Sequence, residues 1–391
     1  VTELRYGGSQ PAEAIAWQRA IVKFAPSYAL SATGGPLKAD GWIGDDDAKV
    51  AAEYRVRRGL PAPPRGVVVT HEEYGALVKT APAQPKPRHL GIVFRGTGGI
   101  IGQDYVSRVC QGATDLIEER NPDWPASMGG LPPGASGMPS MNKAVQIGIA
   151  AGAREIQSGR TFVLGGYSAG AIVAAKLRAM LEPGQPLAQY RDNFVCGFTL
   201  GNPSRAFGHT YYLGAIPNGR GISDYNMPAT TGWDWCDLVH PDDMYANVPL
   251  GDAGDIMTAI YQAVTDVELS DPLGTLQAIL AAIPKVLLEA GVTIPLLTQI
   301  GAGAMTGNPA AMAGVLLPVL MSTLPALMGG KGELTGPAAA VQAAIIALKF
   351  AASGTAAHIN YHAWEVWPGQ TYLGLAIQHV RDWAGRTPVR N

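Results

Sequence analysis

A chain of 391 residues, 47% hydrophobic and 15% charged, has enough apolar matter for a sizeable core and enough length for more than one domain. Its formal net charge of −2, with no basic cluster, removes the electrostatic case for nucleic acid as a partner. Cys110, Cys196 and Cys236 are too few for a disulfide framework and match neither a CxxC nor a zinc pattern, so reduced thiols are expected.

The opening residues carry Glu3, Arg5, Glu13 and Arg19 without an apolar run, so no secretory signal is expected there. Pro11 suits a first helical turn, and Ala14, Trp17, Ile21 and Phe24 follow the spacing of one buried helix face. Asp40-Gly41-Trp42-Ile43-Gly44 reads as a tight turn. Asp45, Asp46 and Asp47 then cap a second helix that buries Val50 and Tyr54 and ends near Gly59-Leu60. Thr70 with Glu73 has capping-box spacing for a third helix carrying Tyr74, Leu77 and Val78. Trp17-Gln18, the Asp40 to Gly44 turn, residues 50–54 and Gly59-Leu60 together resemble the peptidoglycan-binding module of cell-wall hydrolases. Asp47 and Arg55 stand where that family usually has Thr and Gln. The resemblance implies a small all-α domain over residues 1–80 that contacts peptidoglycan and carries no catalytic group. Alternating prolines over residues 81–88 favour an extended linker.

From His89 the pattern changes. Leu90-Gly91-Ile92-Val93-Phe94 reads as a buried strand and is followed by the turn Arg95-Gly96-Thr97-Gly98-Gly99. A helix capped by Ser140 is expected over 141–157, a strand over 161–165, a helix over 169–181 and a strand over 194–200. Strands alternating with helices predict an α/β domain, a doubly wound parallel sheet over residues 89–391 with its ligands at the carboxyl edge. Residues from about 252 to 352 turn helical and Ala/Gly-rich, as an insertion. Within them, 310–328 approaches bilayer length, but Pro318 and Pro325 interrupt it, so broken helices and no stable membrane span are expected.

Gly166-Tyr167-Ser168-Ala169-Gly170 lies between an apolar strand and a helix of small residues, the setting of a nucleophile elbow. Ser168 is therefore the candidate nucleophile, and the Ala169 N–H is one candidate oxyanion donor. The second is expected from the turn after the first sheet strand, at Thr97. A plain Gly-rich turn is the other reading, and a phosphate cradle is not expected because no Lys-Ser/Thr ending follows. The orienting acid belongs after the nucleophile in the chain, among Asp234, Asp237, Asp242 and Asp243. Asp243 is preferred because Met244-Tyr245-Ala246 supplies an apolar wall, with Asp242 in reserve. Of the later histidines, His379 reads as a helix-face residue. His358, after a small flexible stretch, is preferred over His362 as base. His358 and His362, at i, i+4, lack the Glu-x-x-His context of a metal site. No metal or organic cofactor is required by such a triad.

The pieces Gly166 to Ile172, Gly201-Asn202-Pro203-Ser204-Arg205, Asp243-Met244-Tyr245-Ala246 and His358 before Asn360-Tyr361 occur in an order that resembles the lysin B esterases of mycobacteriophages. These are a cutinase-like branch of the α/β hydrolases. The resemblance implies Ser168 as nucleophile, Asp243 as acid and His358 as base. It implies hydrolysis of the mycolic acid–arabinogalactan ester and action at the host envelope after release from the infected cytoplasm. Arg95 stands where that family often has His, and Cys236 has no evident disulfide partner. A lipase or cutinase acting on triacylglycerols or short esters, and an inactive envelope-binding virion protein, are the other readings. An acyl-binding surface is expected from the Met- and Leu-rich run at 315–328.

Overall fold

The computed structural model describes residues 2–8, 10–78, 87–127, 138–211, 217–229, 232–265, 285, 287–288, 309–328 and 334–390. The chain divides into two compact units, Val1–Lys86 and Pro87–Asn391. Of the expected linker, residues 81–86 lie outside the described residues.

In the first unit, α1 (Pro11–Phe24) starts on Pro11 and buries Ala14, Trp17, Gln18, Ala20 and Ile21. Phe24, expected on that face, is instead exposed and packs edge-on against Tyr54 beneath the Arg58 guanidinium. The second helix, α2 (Asp45–Arg58), carries three acidic residues in its first turn and ends on Gly59 at φ 62°, where a side chain would be strained. Thr70 and Glu73 close a capping box at the start of α3 (His71–Val78): the Thr70 N–H donates to Glu73 Oε2 at 2.8 Å and the Glu73 N–H to Thr70 Oγ1 at 3.3 Å. Glu73 also receives the buried Arg55 guanidinium at 2.7 Å. The helical reading missed a two-stranded antiparallel sheet, β1 (Leu4–Arg5) against β2 (Val67–Val69). Its strands are too short to show alternation.

The second unit is an α/β fold built on five parallel strands. These are β3 (His89–Phe94), β4 (Ile117–Arg120), β5 (Phe162–Tyr167), β6 (Phe194–Leu200) and β7 (Trp235–Leu238), in the order β4-β3-β5-β6-β7. Alternate residues feed two cores. Ile92, Phe94, Phe162 and Leu164 pack against α5 (Met141–Ile156) and α6 (Ala169–Ala179). Val93, Val163, Cys196 and Phe198 face α4 (Tyr105–Gln111) and the C-terminal helix. The three cysteines are free and buried.

After β7 come α7 (Asp252–Thr265), α8 (Pro309–Met328), α9 (Gly336–Ala352), α10 (Ala356–Ile359), the hairpin β8 (Glu365–Trp367)–β9 (Gln370–Thr371) and α11 (Tyr372–Arg386). The break expected at Pro318 and Pro325 does not occur: α8 runs through both. Burial of Ala313, Leu316 and Leu320 offsets an interior proline cost of about 3 kcal/mol each. Of the Met- and Leu-rich run at 315–328, Leu316 and Leu320 belong to the core, while Met321 and Leu327 are exposed. Among the described residues no helix is long and apolar enough to cross a membrane.

Candidate active site

Ser168 sits at the turn between the central strand β5 and α6, at φ 54°, ψ −124°. A non-glycine residue adopts this left-handed backbone only where its surroundings enforce it. The two flanking glycines make the turn possible. A Cβ on Gly166 would lie 2.5 Å from the Ala171 Cα, and one on Gly170 would collide with the Phe94 carbonyl. Either side chain would push strand and helix apart.

The sheet edge brings three distant residues into line. Ser168 Oγ lies 2.8 Å from His358 Nε2, and His358 Nδ1 lies 2.9 Å from Asp243 Oδ2. An ionised carboxylate only accepts, so Nδ1 carries the ring proton and Nε2 is bare to receive the serine hydroxyl proton. Asp243 is wholly buried and also accepts the Tyr361 hydroxyl at 2.6 Å and the Tyr245 N–H at 3.0 Å. Burial pushes its carboxyl up, but the facing His358, the Tyr361 hydroxyl and the Tyr245 amide outweigh that and hold it below the usual carboxylate value. The imidazole is clamped between rings, stacked on Tyr167 at 5.3 Å and edge-on to Tyr245 at 4.8 Å.

The other sequence candidates are engaged elsewhere. Asp234 pairs with Arg191 at 2.8 Å, and Asp242 is exposed. Asp237 is buried on β7, with His209 Nδ1 at 3.0 Å. Tyr105 donates its only hydroxyl proton to the Ile359 carbonyl at 2.6 Å, so His362 Nδ1, 2.7 Å away, is the donor to that oxygen. His362 therefore faces Tyr105. His358 lies on the short helix α10, where a flexible loop was expected; Thr355, at φ 60°, starts that helix.

The Gly96 turn abuts Ser168: a Cβ on Gly96 would lie 3.4 Å from Ser168 Cβ. Three of its amides are committed, Gly96 to Asp104 Oδ2 at 3.1 Å, Gly98 to the Ala126 carbonyl at 2.9 Å and Gly99 to the Gly96 carbonyl at 2.9 Å. Among the described residues the Thr97 and Ala169 amides have no acceptor, so these two are open to a developing oxyanion. Asp104, which burial pushes above its usual carboxylate value, also caps α4 through the Val106 N–H.

Sequence reasoning assigned no role to Tyr105, Tyr167, Tyr361 or Asp104. Tyr167 stands inside the Gly166 to Gly170 motif and Tyr361 three residues after His358, and these were the signals available for them. The arrangement has the form that acyl transfer requires: a hydroxyl on an imidazole nitrogen, a buried carboxylate on the other nitrogen and two amides with no acceptor among the described residues.

No family model matches the chain, and no curated protein matches it. Among solved structures it is similar to lysin B from mycobacteriophage D29, with 18% identity over 76% of this chain and 99% of that one and a TM-score of 0.42. It is also similar to a cutinase-like protein from Cryptococcus sp., with 18% identity over 48% of this chain and 93% of that one and a TM-score of 0.32.

Proposed function

We propose that this chain is a serine esterase acting on lipid esters, and that its natural bond joins mycolic acids to arabinogalactan in the mycobacterial envelope. The observation that carries the esterase reading is the 2.8 Å contact of Ser168 Oγ with an imidazole whose other nitrogen is held by buried Asp243. Ser168 attacks the acyl carbonyl while His358 takes its proton, and the Thr97 and Ala169 amides receive the oxyanion. The imidazolium then protonates the departing alcohol. Water, deprotonated by the same ring, releases the acid and restores the serine. Asp243 keeps its charge throughout and stabilises the imidazolium.

The mycolyl ester as substrate is supported by the resemblance of the four motifs around Ser168, Asn202, Asp243 and His358 to the lysin B family. With it come action at the host envelope after release and peptidoglycan contact through residues 1–80. Purified protein is expected to release free mycolic acids from mycolyl-arabinogalactan, and Ser168→Ala to abolish that release. Turnover of short esters without release of mycolic acid would leave a general lipase and remove the mycolyl proposal. Full-length protein should also pellet with purified peptidoglycan; protein left in the supernatant argues against the N-terminal contact.

A further inference from the structure

The motif Gly201-Asn202-Pro203-Ser204-Arg205 takes no part in the proposed chemistry, yet it underlies the base and the acid. Gly201 leaves β6 at φ 57°, its N–H bonded to the Leu238 carbonyl at 3.0 Å. A Cβ on it would lie 2.9 Å from both His358 Nδ1 and Asp243 Oδ2, so the bare glycine backbone is the floor beneath their hydrogen bond. The next residue, Asn202, is 1% exposed and donates Nδ2 to Asp237 Oδ1 at 3.0 Å, while its Oδ1 accepts the Ser204 N–H at 2.8 Å. Asp237 is 1% exposed and also receives the Thr199 hydroxyl and, at 3.0 Å, His209 Nδ1. At the far end of the motif, Arg205 is 0% exposed and donates Nε to the Ala246 carbonyl at 2.7 Å. Ala246 in turn closes the turn that carries Asp243, its N–H bonded to the Asp243 carbonyl at 3.1 Å. The segment is thus fixed to β7 at one end and to the acid's turn at the other.

We propose that Asp237 is a positioning residue for the His358–Asp243 pair, acting through its bond to Asn202 to hold the Gly201 backbone against the imidazole. The inference rests on the serine-esterase reading. Neither Asn202 nor Asp237 bonds Ser168 or His358 among the described residues, so the effect falls on the alignment of the base and leaves the binding of substrate alone. A carboxylate buried at this depth is costly unless its partners are fixed, and among the described residues its side-chain partners lie on β6 and on the loop that follows it.

The test is a reciprocal exchange assayed on a soluble chromogenic ester, with folded sites counted by a serine-directed phosphonate. Asp237→Ala removes the acceptor, and Asn202→Asp sets a second carboxylate against Asp237, so each single variant loses the Asn202–Asp237 bond. The double variant Asp237→Asn/Asn202→Asp restores it with the roles traded, the Ser204 N–H still finding an acceptor. Each single variant is expected to lower kcat per titrated site about 10-fold or more at unchanged KM, since small misalignments of a catalytic group carry costs of that order. The double variant is expected to recover most of the loss. Single variants within twofold of wild type, or a double variant no better than the singles, would overturn the assignment. Wild-type protein that neither turns over esters nor reacts with the phosphonate would instead remove the esterase reading itself.

Discussion

Tyr167, the residue before the proposed nucleophile, holds the proposed base by two contacts: its ring stacks on His358 at 5.3 Å and its hydroxyl donates to the His358 carbonyl at 2.9 Å. Tyr105, packed edge-on against Tyr167 at 4.8 Å, adds a second tether to the Ile359 carbonyl at 2.6 Å. The short helix that carries the base is thereby fastened to the sheet beside the elbow. Tyr167→Phe keeps the ring and loses the tether. We expect a loss of about 1 kcal/mol in stability, the usual net worth of such a bond. A severalfold fall in kcat at constant KM is expected with it, and Tyr167→Leu should lose more of both. Thermal melts and steady-state kinetics on one ester check this; equal kcat in wild type and both variants counts against the tether.

Gly201→Ala places a methyl group in contact with the His358–Asp243 hydrogen bond and in a left-handed backbone. The backbone term alone costs about 1–2 kcal/mol. Displacement of the imidazole is expected to lower kcat about 100-fold. Near-wild-type turnover in this variant would mean that the imidazole does not rest where it lies here.

Asp104 links the oxyanion turn to α4 by accepting from both Gly96 and Val106. Asp104→Ala removes the helix cap, at about 1 kcal/mol, and frees the Gly96 amide. The turn carrying Thr97 then loses its anchor. A fall in kcat of about 10- to 100-fold is expected, as when an oxyanion donor is misplaced. A melt that drops while kcat per titrated site stays constant would reduce Asp104 to a helix cap.

His379 on α11 is buried against β6, and neither ring nitrogen has a hydrogen bond among the described residues. Burial pushes its pKa from 6.5 down to about 4, only partly countered by the nearby Gly197 and Asp234 backbone. The unfolded chain therefore binds this proton first as pH falls. Stability is complete above 6.5 and is lost progressively toward pH 4, by about 3 kcal/mol in all. His379→Phe keeps the packing on Tyr211 and removes the titration. Denaturant unfolding at pH 7 and pH 4.5 should show a smaller acid loss in the variant than in wild type. Parallel curves would mean that the ring is protonated in the folded state.

The elbow and the strands on either side of it were legible because their signals are local: an apolar run, a glycine pair, a helix of small residues. β7 was not legible. Asp237 in the middle of Trp235-Cys236-Asp237-Leu238 makes that stretch read as part of an acidic loop, and its partners Thr199, Asn202 and His209 are distant in sequence. The N-terminal strand pair escaped for a similar reason, since Leu4 and Val69 are paired only across the whole unit. The oxyanion turn was legible as a turn. Thr97 was the donor expected there, but why its amide stays open shows only when the Gly96, Gly98 and Gly99 amides are matched to acceptors that no spacing rule connects to them.

The proposed base, His358, lies 190 residues after Ser168 and 115 after Asp243. Residues 384–390 also tie down the start of two sheet strands, with the Thr161 N–H just before β5 bonded to the Arg390 carbonyl at 3.0 Å and His89 Nε2 on β3 3.2 Å from the Ala384 carbonyl. On the proposed chemistry, a nascent chain that has not yet reached His358 presents a serine with nothing to deprotonate it. Ester cleavage then waits for that residue, and a fragment ending before His358 is inert toward the lipids of the cell that makes it.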